Sequence, residues 1–80
     1  MQTNGRAGTL CPHQEGQTLI DAIIAAADTY LQVNGRRPTT CHVPPDRIPV
    51  GCTLFQVIHQ GKPISVIPNS TILEGHFLII

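Results

Sequence analysis

The side chains of this sequence with the most chemical potential are thiols and imidazoles. Cysteine and histidine are the usual ligands of zinc, and a cysteine close to a histidine can act as a nucleophile. Their spacing does not match a standard ligand motif, since Cys11 and His13 stand in a C-x-H arrangement that is not a zinc knuckle. The full set is Cys11, His13, Cys41, His42, Cys52, His59 and His76.

Cys41 and His42 are adjacent and fall in a segment that we predict to be a strand. Adjacent strand residues point to opposite faces of a sheet, so these two are poorly placed to hold one metal ion, and His42 cannot easily activate Cys41. A metal-binding or cysteine-dependent site would therefore need partners from elsewhere, with Asp46 or Glu74 to orient its histidine. The candidates for this alternative are Cys41, Cys52, His59 and His76.

Other catalytic and binding motifs are missing from the sequence. It has no glycine-rich phosphate loop, no G-x-S-x-G elbow and no paired carboxylates. Five basic residues balance five acidic ones, and Arg36-Arg37 is the only basic cluster, whereas phosphate binding needs a basic excess. Two phenylalanines and one tyrosine provide no stacking platform for bases. We therefore expect no catalytic residue, no metal, no cofactor and no nucleic-acid partner.

The composition indicates a surface for association. The chain has 80 residues, and its charged fraction of 12% is about half of the usual share. A core of this size leaves only roughly 3–5 kcal/mol of net stability, which a partner subunit would increase. We expect a homo-oligomer, a dimer or higher, or another protein partner. The expected interface residues are Ala25, Ala26, Phe77, Leu78, Ile79 and Ile80.

The cysteine count and the hydropathy bear on localisation. Three cysteines cannot all pair within the chain, and we see no secretory signal segment. No stretch approaches the roughly 20 apolar residues that a membrane-spanning helix needs. We therefore expect reduced thiols in a cytoplasmic protein without membrane contact.

Residues 18–34 carry the clearest periodic pattern. Apolar residues recur at the i, i+3, i+4 and i+7 spacing of one helix face. Thr18 is a good N-cap with Asp21 three residues later, and Gly35 suits the left-handed position after the last turn. These signals predict an amphipathic helix. Its apolar residues are Leu19, Ile20, Ile23, Ile24, Ala27, Tyr30 and Leu31.

The chain divides into an arm and a domain. Residues 1–17 contain three glycines and have little to bury, so we expect a flexible arm, in which Leu10 and Cys11 could dock as a short edge strand. Residues 18–80 form a single small domain.

The domain is predicted to have an α+β fold. Residues 39–43, 63–68 and 76–80 have the composition of strands. Residues 52–60 fit either a short helix, capped by a Thr53/Gln56 capping box, or a strand that turns at Gln60-Gly61 to pair with the next strand. Their apolar residues come as adjacent pairs, Leu54-Phe55 and Val57-Ile58, so we predict the helix. The resulting fold has one amphipathic helix and a short second helix packed on a small, mostly three-stranded sheet.

The order of these segments resembles the late part of tailed-phage major capsid proteins. In that family a helix leads to a strand and a Pro-Asp turn, then to a further helix and a terminal strand. The matching residues are Pro38-Thr39, Pro44 to Asp46, Gly61-Lys62-Pro63-Ile64 and Glu74-Gly75-His76-Phe77. The resemblance implies a shared βαββ-like core, a phage or mobile-element origin and a role in assembly. It assigns no functional residue.

These observations favour a non-enzymatic protein-interaction module that self-associates. The thiol and imidazole site is the alternative. A small-ligand pocket between the helix and the sheet is a third hypothesis, which the sequence leaves open.

Overall fold

The computed structural model describes residues 8–52 and 55–80, which contain one α-helix and five strands. A single-turn 3₁₀ helix, Pro45–Arg47, follows the second strand. The elements are β1 (Thr9–Pro12), α1 (Leu19–Asn34), β2 (Thr40–Val43), β3 (Phe55–His59), β4 (Lys62–Pro68) and β5 (His76–Ile79).

The five strands form one mixed sheet in the order β1-β5-β2-β4-β3. β2 and β4 run parallel, and the other neighbouring pairs are antiparallel. The predicted α+β class is confirmed. The prediction of a mostly three-stranded sheet is wrong, because β1 and β3 add a strand at each edge.

Helix α1 begins and ends where the local signals predict. The hydroxyl of Thr18 accepts a hydrogen bond from the backbone N–H of Asp21 at 3.1 Å. At the other end Gly35 has φ 73°, and its N–H donates to the carbonyl of Leu31 at 2.8 Å. Both ends are determined by residues within one turn of the boundary, so the sequence alone predicts them.

The predicted short second helix is wrong, because its described part is strand β3. Gln60 and Gly61 have φ 54° and 80°, as a two-residue hairpin turn with two left-handed positions requires. This turn pairs β3 with β4, placing Val57 beside Ile64 in the core while the neighbouring Ile58 is exposed. The adjacent apolar pairs suggested a helix, but strand alternation buries only one member of the described pair. The predicted capping residue Thr53 lies outside the described residues.

Part of the arm defined from the sequence pairs with the sheet. Thr9–Pro12 forms the edge strand β1, antiparallel to β5, with Leu10 opposite Leu78 and Cys11 opposite Phe77. This is the edge-strand option that the sequence left open for Leu10 and Cys11. Residues 1–7 lie outside the described part of the chain.

The core lies between α1 and one face of the sheet. Each strand directs alternate side chains toward the helix, and the members of the core are more than nine-tenths buried. The core comprises Ala22, Ile23, Ala27, Tyr30, Cys41, Val43, Val57, Ile64, Val66, Phe77 and Ile79. Of the predicted helix face, Ile20 is instead 47% exposed, because it lies on the flank of α1.

Candidate functional site

One face of the sheet points away from α1, the single α-helix of the described residues. Strand pairing places Leu10 beside Leu78, Leu78 beside His42, and His42 beside Ile67, so that one row crosses four strands. Leu10 is 51% exposed, Ile67 37% and Ile58, on the same side in β3, 59%. By strand alternation, no Lys, Arg, Asp or Glu of the five strands points to this side. We call this surface the open face.

His42 adds one polar group near the centre of the open face. Asn69 Oδ1 accepts hydrogen bonds from the backbone N–H of Thr71 at 3.0 Å and from its hydroxyl at 2.7 Å. The amide nitrogen of Asn69 therefore donates to His42 Nδ1, 3.2 Å away. Since Nδ1 accepts this bond, the neutral ring of His42 carries its proton on Nε2.

The structure separates the thiols and imidazoles proposed from the sequence. Cys41 is fully buried beneath α1, whereas His76 lies on the opposite side of the sheet. His59 shares the buried side with Cys41, but β4 lies between their strands. His59 pairs with Lys62, four residues along β4 from the Val66 that pairs with Cys41. These side chains do not form one centre.

The residues expected to support such a site are also placed apart. Cys52 is half-buried in the loop before β3, and Asp46 and Glu74 are exposed. The backbone carbonyl of Glu74 accepts a hydrogen bond from His76 Nδ1 at 3.0 Å, so it is the main chain and not the carboxylate that orients this ring. Within the described ranges, no group of three or more His, Cys, Asp or Glu side chains could hold a metal ion.

Burial makes two of the thiols poor nucleophiles. It raises the pKa of Cys41 to about 12, and the nearby Cys11 contributes in the same direction. Burial also raises the pKa of Cys11. Because the thiolate is the nucleophile and the metal ligand, both side chains remain as neutral thiols near pH 7.

The ring of His59 forms hydrogen bonds with two residues that the sequence analysis did not associate with it. Its Nε2 lies 2.6 Å from Asp28 Oδ1, and its Nδ1 lies 3.0 Å from Arg37 Nη2. A guanidinium only donates, so Nδ1 accepts and Nε2–H donates to the carboxylate. Arg37 Nη2 also donates to the backbone carbonyl of His59. This network joins α1, the segment after it and the β3–β4 hairpin, and it contains no nucleophile.

The residues of the expected interface do not form one surface, because the structure divides them among the core, the open face and one flank of α1. Phe77 and Ile79 are in the core, at 1% and 0% exposure. Leu78 is half-buried in the open face, and Ile80 continues the pairing of β5 by donating its N–H to the carbonyl of Thr40 at 2.9 Å. β5 lies between β1 and β2, so its backbone edges are paired within the chain. The sequence did not group Leu10, Ile58 and Ile67 with Leu78 on one surface, because that grouping depends on strand order.

Ala25 and Ala26 line a groove on the other side of the molecule. The groove runs between one flank of α1 and strands β1 and β5, and its volume is about 370 Å³. Small helix residues form one wall, and Cys11 and Phe77 belong to the other. The lining residues are Thr9, Cys11, Pro12, Gln14, Gln17, Ala22, Ala25, Ala26, Thr29, Tyr30, Val33, Asn34 and Phe77.

Comparisons with known protein families, with curated proteins and with solved structures found no match to this chain. Among the residues that the structure describes, none of the helices has the length and hydropathy of a membrane span. A functional proposal therefore rests on the surfaces and the chemistry of the chain itself.

Proposed function

We propose that the protein is a non-enzymatic interaction module that self-associates by packing its open face against the open face of a second copy. The observation that carries the proposal is an apolar row with His42 at its centre, on the side of the sheet that points away from α1. The row consists of Leu10, Leu78, His42 and Ile67. β5 carries the apolar Leu78 on one face and Phe77 and Ile79 on the other, yet α1 covers only the face of Phe77 and Ile79.

A second copy is the occupant that suits this surface. In a two-fold interface the same patch meets itself, so a charged patch would place like charges together. The strands of the open face contribute no such charge. Two sheets can pack face to face about 10 Å apart with their strands nearly aligned, which would bury the apolar row of each copy against the other.

The size of the open face predicts weak association. Five strands spaced about 4.8 Å apart, each some four to seven residues long, project roughly 400 Å². A stable interface usually buries about 800 Å² per partner, and a smaller one is typical of transient complexes. The expected dimer therefore exchanges with monomer at micromolar or higher concentration. An assembly role and a phage or mobile-element origin, as the capsid resemblance implies, belong to the same proposal.

Sedimentation equilibrium from micromolar to millimolar concentration tests the proposal. We expect the average mass to rise with concentration, and we expect Ile67→Lys to hold the protein at monomer mass, because the two copies would oppose buried ammonium groups. Ile20→Lys is the matched control, since Ile20 is 47% exposed on the flank of α1, away from the open face. It should leave the association unchanged.

Two results would overturn this assignment. A mass that stays monomeric over the whole range excludes self-association. If Ala25→Lys dissociates the complex while Ile67→Lys does not, the interface lies on the helix flank instead. Both variants change exposed side chains, so circular dichroism should confirm that each retains its fold before the masses are compared.

A further inference from the structure

We propose that the groove between α1 and strands β1 and β5 binds an uncharged, mainly apolar small molecule that carries a hydrogen-bond acceptor. The groove volume of about 370 Å³ falls within the range of small-molecule sites. The helix side of the groove is lined by small side chains, and larger ones at these positions would fill the space. They are Ala22, Ala25 and Ala26. This inference does not depend on the proposed self-association.

The lining determines the charge of the ligand. None of the thirteen lining residues that the structure describes is Lys, Arg, Asp or Glu. A cation placed there would lose its hydration without gaining a carboxylate partner among these residues, and the Arg36 guanidinium beside the groove packs on the Tyr30 ring. The polar lining groups are amides, hydroxyls and the neutral thiol of Cys11, which can hydrogen-bond an uncharged molecule.

Tyr30 provides the reason to expect an acceptor on the ligand. It is one of the lining residues and is only 3% exposed, and its buried hydroxyl has no hydrogen-bond partner among the described residues. Buried hydroxyls almost always have a partner, because an unmade bond is costly. The Arg36 guanidinium carbon lies 5.5 Å from the centre of the Tyr30 ring and contacts it as a cation–π pair. The hydroxyl itself is fully covered, so a carbonyl oxygen completes its bonding once the side chains over it move aside.

The groove and the open face are separate surfaces. α1 covers one side of the sheet and the open face is the other, so a ligand beside α1 leaves the open face accessible. Val33, at the groove, is 76% exposed, which makes an apolar contact available at its rim. Ligand binding and self-association should therefore occur independently.

Titration with Prodan tests the proposal on the intact chain. Prodan is an uncharged naphthalene with one ketone, and its emission reports the polarity around that ketone. We expect saturable binding with a blue shift, and Ala26→Phe should weaken it by roughly tenfold or more, because the added ring fills the groove. Ile20→Phe is the matched control: it adds the same ring on the other flank of α1 and should leave binding unchanged.

Tyr30→Phe tests the hydrogen bond itself. It should weaken Prodan binding by about two- to tenfold, the loss expected for one hydrogen bond. N-phenyl-1-naphthylamine, an uncharged probe without a carbonyl, should bind both proteins equally. Thermal melting of each variant shows whether it folds, and the Tyr30 variant still tests the site if Ala26→Phe does not fold.

Each outcome supports or overturns the inference. Absence of saturable Prodan binding to the folded protein, or equal affinity for wild type and both groove variants, overturns it. Loss of binding in Ile67→Lys but not in Tyr30→Phe would place the probe on the open face. If Prodan affinity falls as protein concentration rises, a second copy occupies the groove and the ligand site is excluded.

Discussion

At the level of single residues, His59 was a candidate for a metal or catalytic site, but in the structure its ring has a structural role. It is 3% exposed, and both of its ring nitrogens have partners, one from α1 and one from the segment after it. Because Arg37 Nη2 can only donate, the Asp28 contact is a hydrogen bond from a neutral imidazole to a carboxylate. Asp28 is largely exposed, which weakens its electrostatic contribution.

This assignment predicts a graded effect at Asp28. Asp28→Ala leaves Nε2–H without an acceptor, and we expect the free energy of unfolding to fall by about 1–2 kcal/mol. Asp28→Asn retains an oxygen acceptor and should cost less than half as much. Urea denaturation of the three proteins at neutral pH measures both values. Equal losses in the two variants would mean that the charge, and not the hydrogen bond, is what stabilises the contact.

Cys41 is a second residue whose role depends on burial. The pKa of its thiol lies near 12 in the folded protein, against an ordinary value of 9.0. The unfolded thiol therefore loses its proton first as the pH rises, so the folded state binds more protons above pH 9. The stabilisation is fully present below that pH and is lost on the way to about 12.

The corresponding prediction is a loss of stability in alkali. Between pH 9 and about 12 the free energy of unfolding should decrease, with a contribution from Cys41 approaching about 1.4 kcal/mol per pH unit. Cys41→Ala, although less stable near neutral pH, should lose most of this slope, and Cys11→Ala a smaller part. Urea unfolding at a series of pH values measures the slopes. The same slope in Cys41→Ala and the wild-type protein would contradict the prediction.

At the scale of elements, the docking of β1 depends on a close approach at Gly8. Gly8 has φ 81°, and a Cβ built there would lie 2.7 Å from the carbonyl oxygen of Ile79 and 2.7 Å from Ile80 Cγ1. Gly16 also has a positive φ, of 85°, but no atom lies within 4 Å of its Cβ position. The two glycines share the backbone strain and differ in the available space.

Comparing the two alanine variants isolates that contact. Gly16→Ala should cost about 1–2 kcal/mol, the usual cost of a left-handed conformation for a residue with a Cβ. Gly8→Ala should cost more, or release β1 from the sheet, because the carbonyl of Ile79 belongs to the backbone and cannot move aside cheaply. Amide hydrogen exchange in β1 and β5 distinguishes local release from global destabilisation. Equal protection in both variants would show that the approach at Gly8 is not required.

At this scale the sequence predicts helix ends better than strand neighbours. The caps of α1 are local hydrogen bonds at Thr18 and Gly35, so their residue types suffice. β3 depends on its partner across the Gln60-Gly61 turn, since a segment with paired apolar residues has similar helix and strand preferences. The hairpin signal was present at that turn, but the sequence alone does not decide between it and a capping box.

At the scale of the whole molecule, one helix covers one side of a five-stranded sheet. The open face and the groove lie on opposite sides of the sheet. We propose self-association at the open face and ligand binding in the groove. The self-association prediction belongs to this scale, because the row on the open face is contributed by four strands and no single strand contains it. A weak dimer would also make the thermal midpoint rise with protein concentration.

Local spacing and composition were enough to predict α1, its caps, the strand character of β2, β4 and β5, and the low charge of the chain. Strand order, and with it the set of apolar residues that are exposed, could be read only from the folded chain. Leu78 and Ile79 are equally apolar neighbours, but Ile79 packs beneath α1 whereas Leu78 lies in the open face. Pairing across the sheet between distant segments sets that difference, and no local pattern specifies it.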